Sequence, residues 1–189
     1  MSAITQAASL FVNEIFDRVA SDLAMLSDRD FEILSVDYEE RTDRPVGAGG
    51  IHVSFRFGIV DQAGEVQHGA LILPLPESIS LAAYLMMQPD TVVADLRTRT
   101  EIDSAIREAL LEVGSFVAAA GESALRAVGS QAQSVMFEGC QGVQADVRPA
   151  LQYEEGGPLS VGRAQVKIAG QEAVEMVVMV PSTNVLVGS

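Results

Sequence analysis

The longest amphipathic pattern in the chain runs from Thr98 to about Val128. Ile102, Ile106, Ala109, Leu110, Val113, Phe116, Val117, Ala120 and Ala124 recur at steps of three and four and fall on one side of a helix. Thr98 followed by Glu101 has the spacing of a capping box, so the helix is predicted over about 99–128. Glu101, Glu108, Glu112, Ser115 and Ala119 fall together on the opposite side, with Glu122 at its margin. The element is thus predicted to have a buried face and an acidic outer face. Spacing alone reads that outer face as a solvated surface on an acidic protein.

An earlier helix is predicted over about 7–26, with Leu10, Phe11, Ile15, Val19, Leu23 and Leu26 at helical steps and Ser27 to Asp30 ending it. Phe31 to Tyr38 reads as a strand and Arg41 to Gly50 as a loop. Ile51, Val53, Phe55, Phe57 and Ile59 alternate with His52, Ser54, Arg56 and Gly58, the pattern of a half-buried strand with His52 on its wetter face. The Asp61–Gly64 turn joins it to a strand from Val66 to Leu73. Pro76 can open a short helix from Glu77 to Met87, packing Met86 inward, and Pro89 stops it. Met86 and Met87 read as core filling. Asp90 to Arg97 is a connection docked on the sheet.

Beyond the long helix, Gln133–Phe137 and Val143–Val147 read as strand pieces around a turn at 138–142, with Cys140 a small residue in that turn. Leu159–Ile168 and Ala173–Val180 form a hairpin around Gly170. The last strand is almost continuously apolar and therefore central. The tail 181–189 reads as loose. The order is that of an α+β domain over 1–189: two layers, an antiparallel sheet of about six strands with the two long helices on one face.

Charge narrows the partners. Twenty-six acidic against twelve basic residues give a net charge of −14, and Lys167 is the single lysine, which argues against nucleic acid and anionic membrane surfaces. No apolar run is long enough to span a membrane, and the N-terminal stretch has no basic leader, so a cytoplasmic protein is expected. Cys140 is the only cysteine, which excludes an internal disulfide. His52 and His68 lack cysteines or a second histidine at ligand spacing, so no metal site is expected.

The segment AIREALLEVGSFVAAAG resembles the signature helix of the CheC/CheX/FliY family of chemotaxis phosphatases. There an Asp or Ser is followed four residues later by Glu and three further on by Asn, in a phrase like Glu-Ile-Gly-Asn. Here the phrase is Glu112-Val113-Gly114-Ser115, with Glu108 at the first position. The Glu matches; the other two positions depart. The stretch Gly69 to Met86 also resembles the family's strand ending in a Leu-Pro-Glu turn, and the resemblance covers about Gly69 to Gly129. In the first helix Glu14 is followed by Asp17 and not Asn, so the single motif is most similar to the CheX type.

The resemblance implies a CheY-like response-regulator receiver domain as partner, carrying an aspartyl phosphate and its Mg2+, with no cofactor held by this chain. Glu112 would pair with the receiver's lysine, and Ser115 would stand where the family's Asn orients water. Glu101, Glu108, Ala119 and Glu122 would complete the docking face. A hydroxyl is shorter than an amide, so hydrolysis is expected to be weak or absent. Gln131 and Gln133, the nearest amides in sequence, lie past the helix end. Two alternatives stay open: a non-catalytic binding module of the same fold, and an acidic dimer of the secretion-chaperone kind. A homodimer is a fair expectation for the first reading too.

Overall fold

The computed structural model describes residues 3–45, 50–130 and 134–182. In chain order the elements are α1 (Ala3–Ser27), β1 (Phe31–Arg41), β2 (His52–Val60), β3 (Val66–Pro74), α2 (Leu75–Leu85), α3 (Asp90–Leu96), α4 (Ser104–Ala127), β4 (Ser134–Val143), β5 (Leu159–Ile168) and β6 (Val174–Pro181). The strands form one six-stranded sheet in the order β1-β5-β6-β3-β2-β4, and every neighbouring pair is antiparallel. Two hairpins supply its middle. Between β2 and β3, Asp61 Oδ1 accepts from the amides of Ala63 (2.8 Å) and Glu65 (2.9 Å), a side-chain bond that tightens the turn. Between β5 and β6, Ala169 and Gly170 both take left-handed backbone angles. As its apolar run requires, β6 lies inside the sheet.

Both long helices lie on one face. Phe11, Val12, Ile15, Phe16 and Val19 of α1 and Ile106, Leu110, Val113 and Val117 of α4 share a core with Phe55, Phe57, Leu71, Leu73, Val166 and Val178 of the sheet. Close approach depends on missing side chains. A Cβ at Gly162 of β5 would stand 2.0 Å from Val12 Cγ1, and one at Gly114 of α4 would stand 2.2 Å from the Phe137 ring of β4.

The opposite face is also covered. Ala70, Ile72, Leu159, Val161, Val177 and Met179 form a second cluster, with Leu151 and Tyr153 of the 144–158 segment packed on it. Arg44 ties that segment down: it donates to the Pro149 carbonyl at 2.7 Å and lies over the Tyr153 ring. The pattern of β2 therefore misleads. It is buried on both faces apart from Arg56 and Val60, and His52, expected on the wetter side, is 2% exposed. Strict alternation reports two faces of different polarity, not which of them is wet.

Other boundaries shift for local reasons. The Thr98 hydroxyl donates to the Asp95 carbonyl at 2.8 Å, so Thr98 finishes α3 and does not open α4. The cap of α4 is Asp103, whose carboxylate accepts from the Ile106 amide at 2.9 Å. The stretch read as a sheet-docked connection is helix α3, which turns Val93 and Leu96 into the core beside α2. What read as a turn at 138–142 is strand, with a bulge inside β4: Phe57 faces Phe137 and Arg56 faces Gly139, whose φ is +103°; β4 ends at Val143, so the second strand piece expected over 143–147 does not form. Cys140 is therefore a strand residue. Leu10, placed on the buried stripe, is half exposed, and Met87, read as core filling, is 92% exposed with φ +57° past the end of α2. Residues 183–189 of the predicted loose tail, together with Gln131 and Gln133, lie outside the described residues.

Candidate functional site: the outer face of α4

The inner stripe of α4 is built from small residues at its tightest contacts. Gly114 seats the helix on Phe137, while a Cβ at Gly121 would meet Ile15 of α1 and Val135 of β4 at ordinary contact distance. This wedges α4 between α1 and β4 and fixes which residues turn outward. Glu108, Glu112, Ser115 and Ala119 are all exposed, at steps of four, three and four, and so form one continuous stripe. The motif glycine and the motif carboxylate are thus linked: Gly114, lacking a side chain, seats the helix against Phe137, which leaves Glu112 and Ser115 exposed on the far side.

The stripe is chemically sparse. Among the described residues neither Glu108 nor Glu112 makes an ion pair or a hydrogen bond. On α1, by contrast, Glu14 pairs with Arg18 one turn on. The Ser115 hydroxyl donates to the Leu111 carbonyl one turn back, at 3.1 Å. Leu111 itself is 41% exposed and adds an apolar patch between Glu108 and Ser115. Sequence reasoning missed it, because a Leu next to Leu110 reads as core; its position one residue off the buried stripe was the available signal.

The remaining predicted docking residues are placed differently. Glu101 is exposed but precedes the helix, so it is not on the stripe. Glu122 is partly buried, paired with Arg126 and accepting from the Val135 amide at 3.4 Å. It fastens the end of α4 to the start of β4. Ala119 lies on the exposed stripe, where its small side chain leaves the backbone approachable.

The Leu-Pro-Glu turn has a structural use that the sequence did not disclose. Glu77 is 4% exposed and receives Arg97 Nη2 at 2.6 Å, while Arg97 Nη1 donates to Ser80 Oγ at 3.0 Å. This buried pair ties the first turn of α2 to the segment leading into α4. Behind α4, half-buried Cys140 has its thiol pushed above the usual range by burial, which makes it a poor nucleophile. His68 pairs with Glu138 at 2.8 Å on the far face of the sheet.

A six-stranded antiparallel sheet with two long helices on one face matches the CheC/CheX/FliY fold. The solved structures bear this out. FliY from Thermotoga maritima superposes with a TM-score of 0.64 at 13% identity, covering 93% of this chain and 88% of that one. A chain of the FliG–FliM complex from H. pylori gives 0.63 at 11% identity, covering 96% and 94%. CheX from Vibrio vulnificus gives 0.59 at 9% identity, covering 90% and 97%. No protein-family model and no curated protein matches the sequence. Among the described residues no helix is long and apolar enough to cross a membrane.

Proposed function

We propose that this chain is a chemotaxis or two-component signalling protein of the CheX-like type, which docks a CheY-like receiver domain through the outer face of α4. Hydrolysis of the receiver's aspartyl phosphate is weak or absent. One observation carries the reading: Glu108 and Glu112 stand exposed and unpartnered among the described residues, while the Ser115 hydroxyl is tied to its own helix.

Hydrolysis requires a water oxygen to attack phosphorus in line with the departing aspartate oxygen, while the receiver's own Mg2+ balances the charge on the phosphoryl group. A helper side chain must orient that water. An amide accepts from the water and donates to a phosphoryl oxygen at once. Ser115, its one hydrogen already directed at the Leu111 carbonyl, has only lone pairs left to offer. Glu112 keeps its part, since a carboxylate without an internal partner is available to a lysine on the receiver.

The Ser115 hydrogen bond equally favours a second reading, a non-catalytic docking module of the same fold. Dephosphorylation of a cognate receiver separates the two. In the first, the native protein shortens the lifetime of the phosphate and Glu112→Ala abolishes the effect. In the second, the native protein leaves the lifetime unchanged while Ser115→Asn shortens it. Absence of any effect, together with absence of binding, rejects both. The chaperone-like alternative loses its ground with the CheC-type fold. Pairing of two copies through the sheet's end strands β1 and β4 belongs to the proposal, and a single-chain mass in sedimentation at high protein concentration rejects that part.

A further inference from the structure

We propose that the sheet face turned away from the helices carries a binding site for a small organic anion, its carboxylate or phosphate group held between Arg44 and Arg56. A cavity of about 490 Å³ opens there between the sheet and the 144–158 segment, lined by Arg44, Arg56, His68, Glu138, Leu151 and Gln152. That volume is within the range of small-molecule sites, roughly 300–1,000 Å³.

The charge arrangement is unusual for this protein. Of its eleven arginines, eight pair with carboxylates: Arg18, Arg29, Arg41, Arg97, Arg99, Arg126, Arg148 and Arg163. Among the described residues Arg44 and Arg56 are two of the three without a carboxylate partner, and they line the same cavity. In a chain of net charge −14, two guanidiniums left without a carboxylate in one cavity are not explained by a shortage of acids.

Glu138, the one acidic residue in the lining among the described residues, forms no ion pair with either arginine. One of its oxygens meets His68 Nδ1 at 2.8 Å, and the other lies over Gly58, where a Cβ would come within 2.7 Å of it. Gly58 thus lets Glu138 lie flat on the sheet against His68. Arg56 is left with a buried Nε that has no hydrogen-bond partner and a long 3.3 Å bond from Nη2 to the Glu138 carbonyl. Arg44 is oriented by the Pro149 carbonyl through Nη1 alone and is backed by the Tyr153 ring. Arg44 therefore has donors to spare, and the buried Nε of Arg56 is costly to leave unpaired. A carboxylate or phosphate matches the fork geometry. Leu151 supplies an apolar wall for the body of the ligand.

The cavity is distinct from the α4 face: Phe137 turns to the helix and Glu138, the next residue of β4, to the cavity. The test is calorimetric titration with succinate, inorganic phosphate and, as the uncharged control, succinamide. The native protein is expected to bind at least one of the anions saturably, one per chain, and not succinamide; which anion binds identifies the headgroup. Arg56→Gln and Arg44→Gln should each weaken binding about tenfold or more, and Arg18→Gln on α1 should leave it unchanged. If Arg56→Gln does not fold, Arg56→Lys and the loop variant Arg44→Gln carry the test. Failure of the native protein to bind either anion, or binding by the Arg44 and Arg56 variants as tight as the native, overturns the proposal.

Discussion

The two long helices, α1 and α4, solve the same packing problem and end with different surfaces. Each rests on the sheet through a missing side chain, Gly162 beneath α1 and Gly114 within α4. Each turns acids outward, and each places a Glu three residues before a short polar residue: Glu14 and Asp17 on α1, Glu112 and Ser115 on α4. On α1 the Glu is consumed, pairing with Arg18 at 2.8 Å one turn on. On α4 the residue one turn before Glu112 is another acid, Glu108, and neither finds a partner among the described residues. Identical spacing therefore yields a self-satisfied surface in one helix and an unsatisfied one in the other. The difference lies in which charge sits four residues away.

The largest effect that sharpens this comparison falls on the join that positions α4 alone. Glu77→Ala leaves Arg97 without its carboxylate in a mostly buried site, and a loss of about 3 kcal/mol in urea unfolding is expected. Next come the two glycines. Gly162→Ala drives a methyl into Val12 and Phe16, all three groups deep in the core, and should cost about 1–3 kcal/mol. Gly114→Ala meets only the half-buried Phe137 ring and gains helix propensity of about 1 kcal/mol, so its net loss should be the smaller of the two by the same assay. The smallest effects should differ in sign. Glu14→Gln loses an exposed helix pair and should destabilise by about 0.3–0.5 kcal/mol, whereas Glu112→Gln relieves a like-charge neighbour and should stabilise by about 0.2–0.5 kcal/mol. Equal signs would mean that the two outer faces are electrostatically alike and would break the comparison.

Much of this architecture was legible because hydrophobic periodicity carries it. The two hairpins, the interior position of β6 and the inner stripe of α4 all follow from the spacing of apolar residues. The outer stripe through Glu108, Glu112, Ser115 and Ala119 was legible for the same reason. What the pattern could not show were features decided by a single hydrogen bond or by a distant segment. Thr98 looks like a cap but serves the preceding helix, and Asp103 takes its place. The bulge at Gly139 looks like a turn because a Gly-rich stretch signals both. His52 is buried although it alternates with the core residues of β2, and the Leu151 and Tyr153 that cover part of that sheet face come from far along the chain. The Ser115 bond to Leu111 depends on a rotamer, and the Glu77–Arg97 pair joins residues 20 apart in sequence.

The most direct test of the central claim is a titration of a cognate CheY-like receiver domain with the native protein, Glu112→Lys and Glu14→Lys. Both variants change net charge equally, so long-range attraction is matched between them. If α4 is the docking face, Glu112→Lys weakens binding at least about tenfold while Glu14→Lys stays close to native, as expected for loss of a charge pair at an interface. Equal affinities for the two variants would contradict the account.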